Sequence, residues 1–163
     1  MPRRRSKTSK STAFLLDSNV WVALTFDAHP GHGAASVAMT LATRRRPALF
    51  CRATQLSFLR LISTPALLEA YGVGGMTNDD ALESLYRLLA SPVVSHREEP
   101  AGLERIWHRL AARPTASPKV WMDAYLAAFA IAGKAQLVTF DHGIQAFEAA
   151  GLDVLLLQAS SGE

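Results

Sequence analysis

Two apolar runs in the chain end on an aspartate. Ala13-Phe14-Leu15-Leu16 is closed by Asp17, and Leu137-Val138-Thr139-Phe140 by Asp141. An acid directly after a buried strand is either a turn former or helix N-cap, or a working group at the edge of a sheet. Asp123 is a third acid of interest. Ala127, Ala130 and Ile131 follow it at i+4, i+7 and i+8, which makes one small apolar stripe on a helix. Asp123 therefore points toward packed protein rather than water. A carboxylate there needs a partner, because an unpaired buried charge is strongly unfavourable. Two partners are open: Lys119 at i−4, or a divalent cation shared with Asp17 and Asp141. A shared cation would remove the repulsion among three converging carboxylates. Magnesium suits such a site, because it takes a few carboxylates, keeps several waters and binds substrate phosphate. Manganese is the close substitute.

These acids need a frame that brings them together. Ala13 to Leu16 reads as a buried strand, and Ala48 to Cys51, Pro92 to Ser95, Gln136 to Phe140 and Asp153 to Leu157 as further strands. Between them the pattern predicts helices over about 32–46, 54–63, 77–90, 99–112, 118–132 and 144–150. Pro118 suits a first helical position, and Gly133 ends that helix. On this reading Asp123 sits in the second turn. Strands alternating with helices predict an α/β sandwich with a mostly parallel central sheet flanked by helices. In such folds ligands collect at the carboxyl ends of the strands, where Asp17 and Asp141 stand.

The segment Leu15-Leu16-Asp17-Ser18-Asn19-Val20-Trp21-Val22-Ala23-Leu24 resembles the first motif of PIN-domain ribonucleases, in particular the VapC-type toxins of bacterial toxin–antitoxin pairs. His29-Pro30-Gly31-His32 is similar to the segment that follows it in one subgroup. Thr54-Gln55-Leu56-Ser57-Phe58-Leu59-Arg60-Leu61 resembles the second motif. Trp121-Met122-Asp123-Ala124-Tyr125-Leu126-Ala127-Ala128 and Val138-Thr139-Phe140-Asp141 resemble the third and fourth. The resemblance runs in order from Ala13 to Leu157. It implies a PIN-like three-layer sandwich and a metal-dependent endoribonuclease that cleaves RNA phosphodiester bonds by metal-activated water. Asp17, Asp123 and Asp141 would be the catalytic and metal-holding residues, with Mg2+ or Mn2+ as cofactor. A cognate antitoxin and a homodimer are the implied partners; the single cysteine and the short apolar stretches make the cytoplasm the default location.

One position departs from the pattern. Many PIN domains carry a glutamate where Ser57 stands, which leaves three acids rather than four. Ser57 could still hold water or phosphate by hydrogen bonding. The same departure motivates an alternative, a catalytically silent PIN-like domain that binds RNA or protein. Asn19 and Thr139 are candidates to orient the carboxylates, and Arg60 and His142 to contact phosphate. His29 and His32 have no further ligands to complete a zinc site, so loop and cap roles are expected. Trp21, Trp107 and Trp121 are expected in the core or at an interface. A receiver-like phosphoacceptor domain is disfavoured, since Asp17 has no adjacent acid and no lysine follows Lys134.

Composition bounds the rest. The chain has 163 residues, 49% hydrophobic and 19% charged, enough apolar material for one domain's core. Cys51 is the only cysteine, which excludes an internal disulfide and a Cys-rich zinc module. Five of the 17 Lys and Arg lie in the first ten residues, leaving 12 cations against 14 Asp and Glu in the body. The organisation expected is a basic, disordered tail over 1–12, one domain over 13–158 and a polar end over 159–163. The tail suits a phosphate-rich partner through counterion release, or aids only solubility. The run after it is broken by Asp17 and Asn19, so a signal peptide is not expected, and the longest mostly apolar stretch, Val120 to Ala132, is too short to span a bilayer and carries Asp123.

Overall fold

A computed structural model describes residues 10–161. Most of the basic tail lies outside those residues. Ser11 and Thr12, assigned to the tail above, belong to the fold: the Ser11 hydroxyl donates to Asp153 at 2.5 Å, and the Thr12 amide donates to the Lys134 carbonyl at 2.8 Å.

Five strands, β1 (Ala13–Leu16), β2 (Ala48–Phe50), β3 (Val94–His96), β4 (Ala135–Thr139) and β5 (Val154–Leu156), form one sheet in the order β3-β2-β1-β4-β5. Every pairing is parallel. Strand residues alternate between two faces, and each face feeds its own core. Leu15, Leu49 and Leu137 pack with α6 (Leu103–Ala111) and α7 (Val120–Ala132). Phe14, Leu16, Phe50 and Val138 pack on the opposite face with α1 (Ser18–Thr25), α3 (Arg52–Ile62), α4 (Pro65–Ala70) and α5 (Asn78–Leu89). The result is the three-layer α/β sandwich expected. On the second face the fully buried Trp21 stacks on Phe50, with centroids 3.9 Å apart and planes 10° from parallel.

Several elements differ from the sequence reading. Helix α1 was not expected. It holds Val20, Val22 and Thr25, weak helix formers, and it is buried on most sides, so no amphipathic period marks it. Helix α2 (His32–Met39) stops well before Arg46, the end expected for it. The left-handed Gly102 (φ 82°) begins α6 later than Glu99. Pro118 and Lys119 form a turn ahead of α7 instead of its first residues, so Asp123 falls in the first turn rather than the second. The segment His142–Ala150 is a 3₁₀ helix that ends at the left-handed Gly151. Among the described residues no helix is long and apolar enough to cross a membrane.

Candidate active site

The register of β1 on β4 builds the inner half of the site. Leu15 lies beside Leu137 and Leu16 beside Val138. The ladder runs one step further, with the Asp17 amide donating to the Val138 carbonyl at 3.0 Å. Asp17 thus stands beside Thr139, and the alternation of the strands turns both toward the face covered by α7. The Thr139 hydroxyl, itself fully buried, donates to Asp17 Oδ2 at 2.8 Å and accepts the Asp141 amide at 3.0 Å. One hydroxyl therefore sets the positions of both strand-end acids. Asp17 also caps α1: its Oδ1 accepts from the Ser18 amide at 2.7 Å.

The outer half is an ion-paired cluster. Asp141 caps the 3₁₀ helix through Oδ1, which accepts from the Gly143 amide at 2.8 Å. Its Oδ2 accepts from Lys119 Nζ at 2.5 Å, and the same ammonium donates to Asp123 Oδ2 at 2.7 Å. Of the two partners left open for Asp123, Lys119 is the one in contact. It also reaches Asp141, 22 residues away in sequence. Asp123 is the more enclosed of the pair, its side chain 22% exposed against 36% for Asp141. Gly31 supports this end of β4: a Cβ there would lie 2.3 Å from the Phe140 ring.

The two halves have opposite electrostatics. Burial pushes the Asp17 carboxyl above the usual carboxylate range, opposed by the hydrogen bonds from Thr139 and Ser18 and reinforced by the like charge of Asp123. The hydrogen bond from Lys119 holds Asp141 below that range, against partial burial and with help from the Gly143 amide. Both carboxylates hold the Lys119 ammonium firmly protonated.

The remaining candidates are less tightly joined to this network. Asn19 is exposed on the first turn of α1. Ser57 is half-buried on α3, and its side chain makes no hydrogen bond among the described residues. Arg60 is exposed about 12 Å further along α3 from Arg52 and lines a 310 Å³ groove with Leu59, Ser63, Asn78, Ala81 and Leu82. His142 is exposed beside Asp141, where its charge helps to lower that carboxyl. His29 and His32 have the local roles expected: His29 Nδ1 accepts the Gly31 amide at 2.8 Å, and His32 Nδ1 contacts the Ala23 carbonyl at 2.7 Å. Trp107 and Trp121 meet edge to face, with Trp121 about half exposed. The reach of Lys119 to Asp141 was the feature the sequence did not show; its only signal was the i−4 spacing to Asp123.

Among the described residues no three His, Cys, Asp or Glu side chains already converge closely enough to hold one ion. The ammonium of Lys119 stands where Asp123 and Asp141 meet, so these two acids already embrace a cation. Hard oxygen donors from two carboxylates, with a third held through Thr139, fit magnesium, which needs only one or two carboxylates beside its waters.

The PIN-domain profile matches residues 14–150. Ribonuclease VapC41 of Mycobacterium tuberculosis (strain CDC 1551 / Oshkosh) is 40% identical over 144 residues, covering 88% of this chain and 97% of that protein. The VapBC2 complex of Rickettsia felis, solved with a DNA fragment from its promoter, shares the fold at a TM-score of 0.63 and 14% identity, covering 90% of this chain and 99% of that one. VapC20 of Mycobacterium tuberculosis, a sarcin-ricin loop cleaving toxin, shares it at 0.58 and 18% identity, covering 85% and 95%. With the profile spanning most of the described residues and VapC41 alike over nearly its whole length, the chain belongs to the PIN-domain family and, within it, to the VapC ribonucleases, the endoribonuclease toxins of toxin–antitoxin pairs.

Proposed function

We propose that this VapC-type endoribonuclease works at the carboxyl edge of β1 and β4, with Asp17, Asp123 and Asp141 holding magnesium, or manganese in its place. The observation that carries this reading is the single hydrogen-bonded network joining three acids from three separate elements. When bound, the metal supplies Lewis-acid chemistry: it lowers the pKa of water and offsets charge developing on the phosphate. The protein's own part is positioning. Thr139 Oγ1 fixes the carboxylate of Asp17 and the backbone of Asp141 at once. Asp17, half-buried, is held on Oδ2 by the Thr139 hydroxyl and on Oδ1 by the Ser18 amide, which fixes its carboxylate in one orientation. In this reading His142, exposed beside Asp141, contacts substrate phosphate, and Asn19, exposed on α1, orients a carboxylate or a water. Cys51 is buried at the start of α3, so it offers no exposed thiolate for covalent catalysis. The reading extends to a cognate antitoxin, a homodimer, a cytoplasmic location, and phosphate contacts from the basic stretch Met1 to Lys10.

The test is RNA cleavage by the purified chain with magnesium, with manganese, and with a chelator. Cleavage is expected with either metal, is lost with the chelator, and is lost in Asp141→Asn with metal present. Cleavage that persists in chelator, or in Asp141→Asn, overturns the metal-site reading. A chain that binds RNA but never cleaves it supports the silent alternative.

A further inference from the structure

We infer that Lys119 is a built-in counter-cation of the acidic site: its ammonium holds Asp123 and Asp141 together in the metal-free protein and competes with the divalent ion for the same oxygens. This rests on the metal-dependent reading above. The first support is which atoms are engaged. Asp17 has both oxygens occupied, Oδ1 by Ser18 and Oδ2 by Thr139, and Asp141 Oδ1 is held by the Gly143 amide. Asp141 Oδ2 and Asp123 Oδ2, by contrast, are bonded to Lys119. Lys119 therefore sits on the oxygens that point into the site and leaves the scaffold bonds alone.

The second support is its position. Lys119 is the N-cap residue of α7, and its side chain makes no capping bond. A cation at a helix N-terminus opposes the helix dipole, and the N-cap favours Ser, Thr, Asp or Asn. Local helix energetics therefore argue against lysine here, and the two carboxylates supply the compensation. The third is mobility of the right kind. The Lys119 side chain is 69% exposed on a long flexible stem, so it can leave while the acids stay in place.

Removing a competing cation should tighten metal binding. Calorimetric titration of the RNA-free protein with magnesium and with manganese should show Lys119→Gln and Lys119→Met binding about threefold to tenfold more tightly than wild type, the range expected for one or two exposed ion pairs. Lys119→Arg should stay near wild type. Affinity that is unchanged or weaker in both the Gln and Met variants overturns the inference. Asp141→Asn, run beside them, separates the two readings: it should lose metal affinity, and if it does not, the site assignment fails whatever Lys119 does. A second measurement needs no variant. Acetic anhydride labelling, read by peptide mass, should rise at Lys119 when magnesium is added, relative to the exposed Lys134 before β4. A constant labelling ratio between the two lysines overturns the inference as well.

Discussion

Asp17 and Asp141 end neighbouring stretches of the sheet edge and share one hydroxyl, yet the protein treats them in opposite ways. Asp17 is enclosed and bonded to neutral donors, so burial wins and its proton affinity rises. Asp141 stands at the rim against an ammonium, so pairing wins and its proton affinity falls. The contrast teaches that one residue type, at equivalent strand ends, is given its charge by what covers it. Desolvation disfavours the charged form and a counter-cation favours it. Asp123, on α7, adds like charge near Asp17, and Lys119, just ahead of that helix, gives Asp141 its counter-cation.

The largest expected effect is on cleavage. Asp17→Asn, Asp123→Asn and Asp141→Asn should each lower kcat by more than about 100-fold, beyond what loss of a mere supporting residue around a metal produces. Initial rates on RNA at saturating magnesium measure this. If one of the three keeps substantial activity, that acid belongs to the scaffold only.

Thr139→Val attacks the link between the two halves. It removes the donor to Asp17 and the acceptor for the Asp141 amide, both largely shielded from water. The expected cost is about 1–3 kcal/mol in denaturant unfolding, from polar groups left without partners. The proton affinity of Asp17 should rise further, because the bond from Thr139 is the largest of those that oppose burial.

The metal-free stabilities of two variants should differ in sign. Asp17→Asn relieves a buried charge and should raise the Tm at pH 7. Asp141→Asn removes a partner of Lys119 and should lower it, each by about 2–4 °C, corresponding to about 1 kcal/mol in a chain of this size. Their pH dependence should also oppose. Asp141, with its lowered proton affinity, contributes stability that is present above about pH 3.9 and is lost as pH falls through its folded value. Asp17, with its raised affinity, costs stability when ionised, and that cost disappears as pH falls through its folded value. The advantage of Asp17→Asn should therefore shrink on mild acidification, while the deficit of Asp141→Asn persists until stronger acid. Equal behaviour of the two variants would erase the comparison.

The smallest effect expected is at Ser57. If it faces the carboxylates, Ser57→Glu adds a fourth acid, should tighten magnesium or manganese binding a few-fold, and should lower metal-free stability. Calorimetry and melting that are both unchanged would place Ser57 outside the site.

Much of this molecule was legible in its residues. Short apolar runs closed by acids marked β1 and β4, because fully buried parallel strands are apolar throughout and polarity returns only at the edge. The stripe Asp123, Ala127, Ala130 marked the inner face of α7, because helical spacing survives wherever one side is packed. Helix α1 left no such mark: it is buried on most sides and built partly from β-branched residues, so tertiary packing rather than local preference makes it helical. Which hydroxyl joins Asp17 to Asp141 followed from the register of β1 on β4, and register is a pairing between segments more than a hundred residues apart. The reach of Lys119 to Asp141 was likewise decided only in three dimensions. Spacing along one helix reports neighbours three or four residues away, whereas the approach of α7 to the end of β4 depends on how closely the alanines of that helix let it pack on the sheet.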